Sequence, residues 1–177
     1  AGRLFGESAE NKVNKLKEVA AQEKALQDTK AVLVEEVIRD FRLKGDAYYN
    51  DYRFAEALDA YKQALEYVDR EQQPQLWAAL LVDVGITNQE LGSRGEGEAI
   101  QNYLDASVNA YRHALEVYTR AELPQDWAMT QNNLGNTLSE QGIRTGGEAG
   151  VGLLGQAVAA FQLALLVLVS RKFSVGW

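Results

Sequence analysis

The chain has 177 residues, a formal net charge of −7, two prolines, no cysteine and 46% hydrophobic residues. That composition excludes a collagen-like repeat, low-complexity disorder and a disulfide-stapled scaffold, and its acidity disfavours phosphate backbones and anionic lipid heads. So few prolines predict long helices, and the fifteen glycines then need a reason, because helix interiors disfavour them.

Residues 8–37 come first: helix-prone, charged, free of Gly and Pro, with Ser8 as N-cap. Leu16, Val19, Leu26, Leu33 and Val37 keep 3/4 spacing, but Glu23 and Lys30 interrupt the stripe. A helix packed on the first hairpin is expected here, in preference to an oligomerising coiled coil. No breaker separates this segment from Gly45, so one long helix can run through both.

The elements after it are copies of one another. Aligning 74–118 on 124–168 without a gap gives 18 identities in 45 positions, against roughly three by chance. Pro74-Gln75-x-Trp77-Ala78 returns as Pro124-Gln125-x-Trp127-Ala128, Gly85 as Gly135, Gly92 as Gly142 and Arg94 as Arg144. A shorter copy precedes them, in which Ala60-Tyr61, Ala64 and Leu65 stand 50 residues before their counterparts but Gly45 only 40 before Gly85. Each copy reads as a helix hairpin. Pro74 and Pro124 suit a first helical turn, and Gly92 and Gly142 are expected just past the first helices. Gly45, Gly85 and Gly135 fall inside the first helices, where small residues on the second helix (Ala57/Ser107/Ala157, Ala64/Ala114/Ala164) would permit close crossing. Tyr61, Tyr111 and Phe161 are expected to fill the space between hairpins.

At these residues the sequence resembles the tetratricopeptide repeat family, whose motif sets Gly, then an aromatic, then Ala, aromatic and Ala at fixed offsets. Gly45, Tyr48, Ala57, Tyr61 and Ala64 match it without a gap; the later copies match after an expanded connector and depart at Asn88 and Leu138. The phrase at 127–136 is similar to the long repeats of the kinesin-light-chain type. The resemblance implies an all-α fold, an α-α superhelix of helix hairpins. Its expected layout is an N-terminal extension (1–37), three repeats (38–73, 74–123, 124–173) and the start of a fourth (174–177). From Ala157 to Val169 only Gln162 is polar, so the last helix is apolar all round. That favours truncation within a longer array over burial in an oligomer, with self-association through this helix as the alternative.

No catalytic constellation is expected. His113 is alone, no Cys or His cluster has metal spacing, and the Gly-rich connector at 92–98 follows a helix, lacks a Lys-Ser/Thr ending and carries two glutamates. Arg94 and Arg144 are expected to tie connectors to neighbouring hairpins. No cofactor, metal, nucleic acid or membrane partner is expected, and the longest apolar run, Leu163 to Val169, falls far short of a bilayer span. A cytoplasmic location is the default.

The resemblance implies a non-catalytic protein or peptide adaptor, with its ligand lying on a concave face made by the first helices. Read at i, i+4, i+7, that face runs Arg42, Asp46, Tyr49, then Val82, Ile86, Gln89, then Asn132, Asn136, Ser139, flanked by Arg39, Asn50, Asp83 and Asn133. Asparagines can donate and accept together and so hold a peptide amide whatever side chain is bound. The alternative is an architectural scaffold for an attached effector domain, assembling through the N-terminal helix and the apolar C-terminal one.

Overall fold

The computed structural model describes residues 2–97 and 99–174, with side-chain surroundings for 9–97 and 99–167; Glu98 of the Gly-rich connector, and 175–177 of the expected fourth repeat, lie outside the described residues. Among the described residues there are six helices and no strand: α1 (Gly2–Asn50), α2 (Phe54–Tyr67), α3 (Pro74–Arg94), α4 (Ala99–Ala114), α5 (Pro124–Thr145) and α6 (Gly147–Ser174). Each helix packs on the next along the chain, and α3 also touches α5. This is a linear array of hairpins, an all-α fold with a helical-repeat character.

Helix α1 runs unbroken through the boundary between extension and first repeat. Every residue from 9 to 33 is exposed, and α1 joins the body only from Val34 and Ile38 onward. The packing expected of the N-terminal segment is therefore not found, because Glu23, Lys30 and their charged neighbours leave it no continuous apolar face. The helix stops where Tyr52 turns left-handed at φ 60° and the Arg53 N–H bonds back to the Tyr48 carbonyl at 2.8 Å.

Pro74 and Pro124 occupy first helical turns, as expected. The connectors ahead of them fold alike. Asp69 accepts from the N–H groups of Glu71 and Gln72, and Thr119 from that of Glu122.

The central glycines have one shared cause, the aromatic ring of the second helix in each hairpin. A β-carbon placed on Gly45 would stand 2.5 Å from Tyr61 Cε1, on Gly85 2.6 Å from Tyr111 Cε1, and on Gly135 2.6 Å from Phe161 Cε1. The aromatic ring lies edge against the glycine of its own hairpin, and Tyr61 and Tyr111 also share core clusters with the next one, Tyr61 with Leu80 and Val84, Tyr111 with Leu134 and Leu138. The alanines at 57, 64, 114, 157 and 164 are buried around these rings, as is Ser107. Gly92 and Gly142 are not helix terminators either. Leu104 packs onto the first and Leu154 onto the second, and the helices continue to Arg94 and Thr145 before stopping at Gly95 and Gly146 (φ 65°). Arg94 does reach the preceding hairpin, lying 5.0 Å from the Phe54 ring, and Arg144 donates to the Ser93 carbonyl at 3.4 Å.

Helix α6 requires a correction. Its stretch Gly147–Val167 is long and apolar enough to cross a bilayer, although interruptions by Gly and Gln keep each apolar run short. It packs along α5, burying Ala157, Ala160 and Ala164 while leaving Val151, Val158 and Leu165 exposed.

Candidate binding surface on the first helices

Of the residues expected to form one surface, Arg39, Arg42 and Asp46 line one cleft, Asn136 and Ser139 border another, and the rest lie outside both. The first cleft, about 510 Å³, lies between α1 and the first turn of α3. It gathers Arg39, Arg42 and Asp46 with Ile38, Leu43 and Leu76, so a charged rim surrounds an apolar floor. The helical period explains the α1 side, since 35, 39, 42, 43 and 46 share one face. Glu35 and Leu43 belong to that stripe and were legible from spacing alone. Gln73 and Leu76 arrive from the next hairpin, and only the fold brings them there.

Electrostatic ties hold this cleft in shape. Arg42 Nε donates to Asp83 Oδ2 at 3.0 Å, bridging α1 to α3, while Tyr61 Oη donates to Asp46 Oδ1 at 2.7 Å, bridging α2 to α1. Burial, aided by the Asp46 hydrogen bond, pushes the Tyr61 hydroxyl far up, so it stays a proton donor. Burial also pushes Asp83 up to about 6, against the pull of Arg42. Arg39 is exposed and pairs only loosely with Asp40 at 3.6 Å. Tyr49 is partly buried edge-on against Phe54, with centroids 5.2 Å apart, and burial raises its hydroxyl pKa. Asn50 is exposed at the end of α1.

On α3 the expected face is mostly closed. Val82 is buried in the same cluster as Tyr118 and Leu134, and Ile86 packs against that cluster. Gln89 accepts from Thr137 Oγ1 at 2.9 Å and from Tyr111 Oη at 3.5 Å, so its amide oxygen joins α3 to α5 and α4. The physical reason is position. α3 packs on helices to both sides, α2 and α4, and on α5 as well, so more of its circumference is covered than α1's.

On α5, Asn132 and Asn136 are exposed one turn apart, whereas Asn133 is half-buried and gives its carbonyl to Thr137. Asn136 and Ser139 border the second cleft, about 390 Å³, with Glu140, Ile143, Arg144 and Phe161. His113 is exposed, 6.5 Å from the Trp77 ring, and among the described residues no three His, Asp or Glu side chains converge as a metal site. Comparison with protein-family models, with characterised proteins and with solved structures returns no match to this chain.

Proposed function

We propose that this chain is a non-catalytic interaction module of the tetratricopeptide-repeat kind, its hairpins winding into a superhelix and its first helices receiving a peptide segment of a protein partner. The observation that carries this reading is the α1–α3 cleft, where Arg39, Arg42 and Asp46 surround the apolar floor of Ile38, Leu43 and Leu76. An apolar side chain of the peptide enters the floor, and the rim groups bond to its polar atoms, the arrangement by which small sites combine burial with orientation. Asn132 and Asn136 extend the contact along α5 through main-chain amides of the same peptide. The net charge of −7 favours a neutral or basic segment.

A random peptide array probed with the chain tests this. Arg39→Ala combined with Leu43→Asp touches only rim and floor residues that are already exposed. It is expected to weaken the bound subset at least about tenfold, or 1.4 kcal/mol. An undiminished signal from that variant, or an array that captures nothing, overturns the reading.

A further inference from the structure

The α1–α3 cleft has an equivalent place further along the array, and there the chain fills it from within. The repeat sets equivalent residues 40 apart on α1 and α3 and 50 apart beyond them, so Tyr118 stands where Val68 does. The two connectors fold alike at this point. Gln73 N–H bonds to the Asp69 carbonyl at 2.8 Å, and Leu123 N–H to that of Thr119 at 2.9 Å. Tyr118 is buried in one core cluster with Ala78 and Val82 of α3, and Leu123 packs against that cluster. Its Oη donates to the Gln75 carbonyl at 3.4 Å. Burial, with Asp126 nearby, raises its pKa, so the hydroxyl stays a donor.

The equivalents of Gln75, Ala78, Val82, Leu123 and Asp126 are Glu35, Ile38, Arg42, Gln73 and Leu76, and all five line the open cleft. The positions that surround a phenol ring between α3 and α5 thus recur between α1 and α3, where Val68 is too short to supply the ring. Ile38 is larger than Ala78, yet about 510 Å³ stays open. Arg42 and Gln73 stand for Val82 and Leu123, polar groups that water can satisfy while the cleft is open. This opening lies within the array, bounded by α1 and α3. The α1 face that a preceding hairpin would cover is another one, that of Asp40 and Lys44, the equivalents of Leu80 and Val84 in the cluster with α2. Charge narrows the occupant further. Glu35 and Asp46 oppose Arg39 and Arg42, so the rim sums to zero and favours a neutral ring tip over an anionic or cationic one.

We infer that the α1–α3 cleft takes a tyrosine side chain of the partner's peptide, seated as Tyr118 is seated in the next repeat. The inference rests on the peptide-binding reading and names the residue that anchors the peptide. The ring lies on Ile38, Leu43 and Leu76, and the hydroxyl donates to the Glu35 carbonyl as Tyr118 does to that of Gln75. Tyrosine suits such a place because it joins a large apolar body to a polar tip that seeks a partner when buried. Phenylalanine forgoes the hydrogen bond, and a phosphorylated tyrosine brings charge to a rim that sums to zero.

Nuclear magnetic resonance titration of the isotope-labelled chain with N-acetyl-tyrosinamide tests this. Amide shifts are expected in 35–46 and 73–76, and smaller ones from N-acetyl-leucinamide at equal concentration. Val68→Tyr supplies the ring from within, as the next repeat does, and is expected to weaken this binding at least about tenfold. Leu43→Asp, at an exposed position of the floor, is expected to weaken it as well and guards against a folding defect in the first variant. No shifts at the cleft, equal shifts from N-acetyl-leucinamide, or binding unchanged in Leu43→Asp overturns the inference. Tighter binding of N-acetyl-phosphotyrosinamide overturns it in favour of an anionic ligand. The peptide array separates this inference from the reading beneath it. Peptides captured through the cleft but not enriched in tyrosine overturn the inference alone, whereas an array that captures nothing overturns the reading.

Discussion

Asp83 shows at the scale of one residue how the candidate site differs from a stabilising contact. It forms an ion pair with Arg42 at 3.0 Å, yet burial lifts its pKa from 3.8 to about 6. A carboxylate raised on folding binds its proton more tightly in the native chain than in the unfolded one. Between roughly pH 4 and pH 6 the native state therefore keeps a proton that the unfolded state has lost, and stability falls as pH rises through that window. The loss is up to about 3 kcal/mol and is complete above the native pKa. Asp83→Asn is expected to remove it. Urea midpoints of the two proteins at pH 4, 5, 6 and 7 provide the check, because subtraction cancels carboxylates such as Glu56, whose pKa is lowered by its hydrogen bond from Arg53. A difference that does not change with pH would sink this account. The Arg42–Asp83 pair thus costs stability at neutral pH rather than adding to it.

Each hairpin is defined by an aromatic ring laid on a helical glycine, and this is where substitution is most revealing. Gly135→Ala places a β-carbon 2.6 Å from Phe161 Cε1, inside packed structure, and is expected to cost about 1–3 kcal/mol. Gly152→Ala, on the exposed side of α6, meets nothing within 4 Å. It is expected to stabilise by about 0.5–1 kcal/mol through helix propensity alone. Denaturant midpoints should thus move in opposite directions, and equal shifts would show that the ring does not fix the glycine. The repeat made these glycines visible in the sequence, along with both proline starts and the small residues around the rings. It did not show which neighbour each glycine meets, because identical spacing serves a ring within a hairpin or between two. The same limit applies to the cleft. Arg39, Arg42 and Asp46 share a helical face that spacing reveals, whereas Gln73 and Leu76 come from another helix. Val82 was misplaced because α3, packed on three other helices, has less free surface than the α1 phase suggests.

At the scale of the whole molecule, an array in which helices pack mainly on their neighbours in sequence transmits little from one end to the other. The N-terminal half of α1 is the extreme case. Residues 9–33 are all exposed, and the α1 core residue Ile38 lies beyond them. Most helical stability in proteins comes from a packed face, which this stretch lacks, so it stays helical by propensity and by growing from the packed turns after Val34. It adds helicity without adding core. Deleting residues 1–33 is therefore expected to shift the thermal midpoint by no more than a few degrees, the equivalent of about 0.5 kcal/mol. Trypsin should cut first at Lys12, Lys15, Lys17, Lys24 and Lys30, ahead of sites in the hairpins, because local opening of this segment disturbs no buried side chain. A large fall in the midpoint, or resistance at those lysines, would mean that the projecting helix is held by contacts the single chain does not contain.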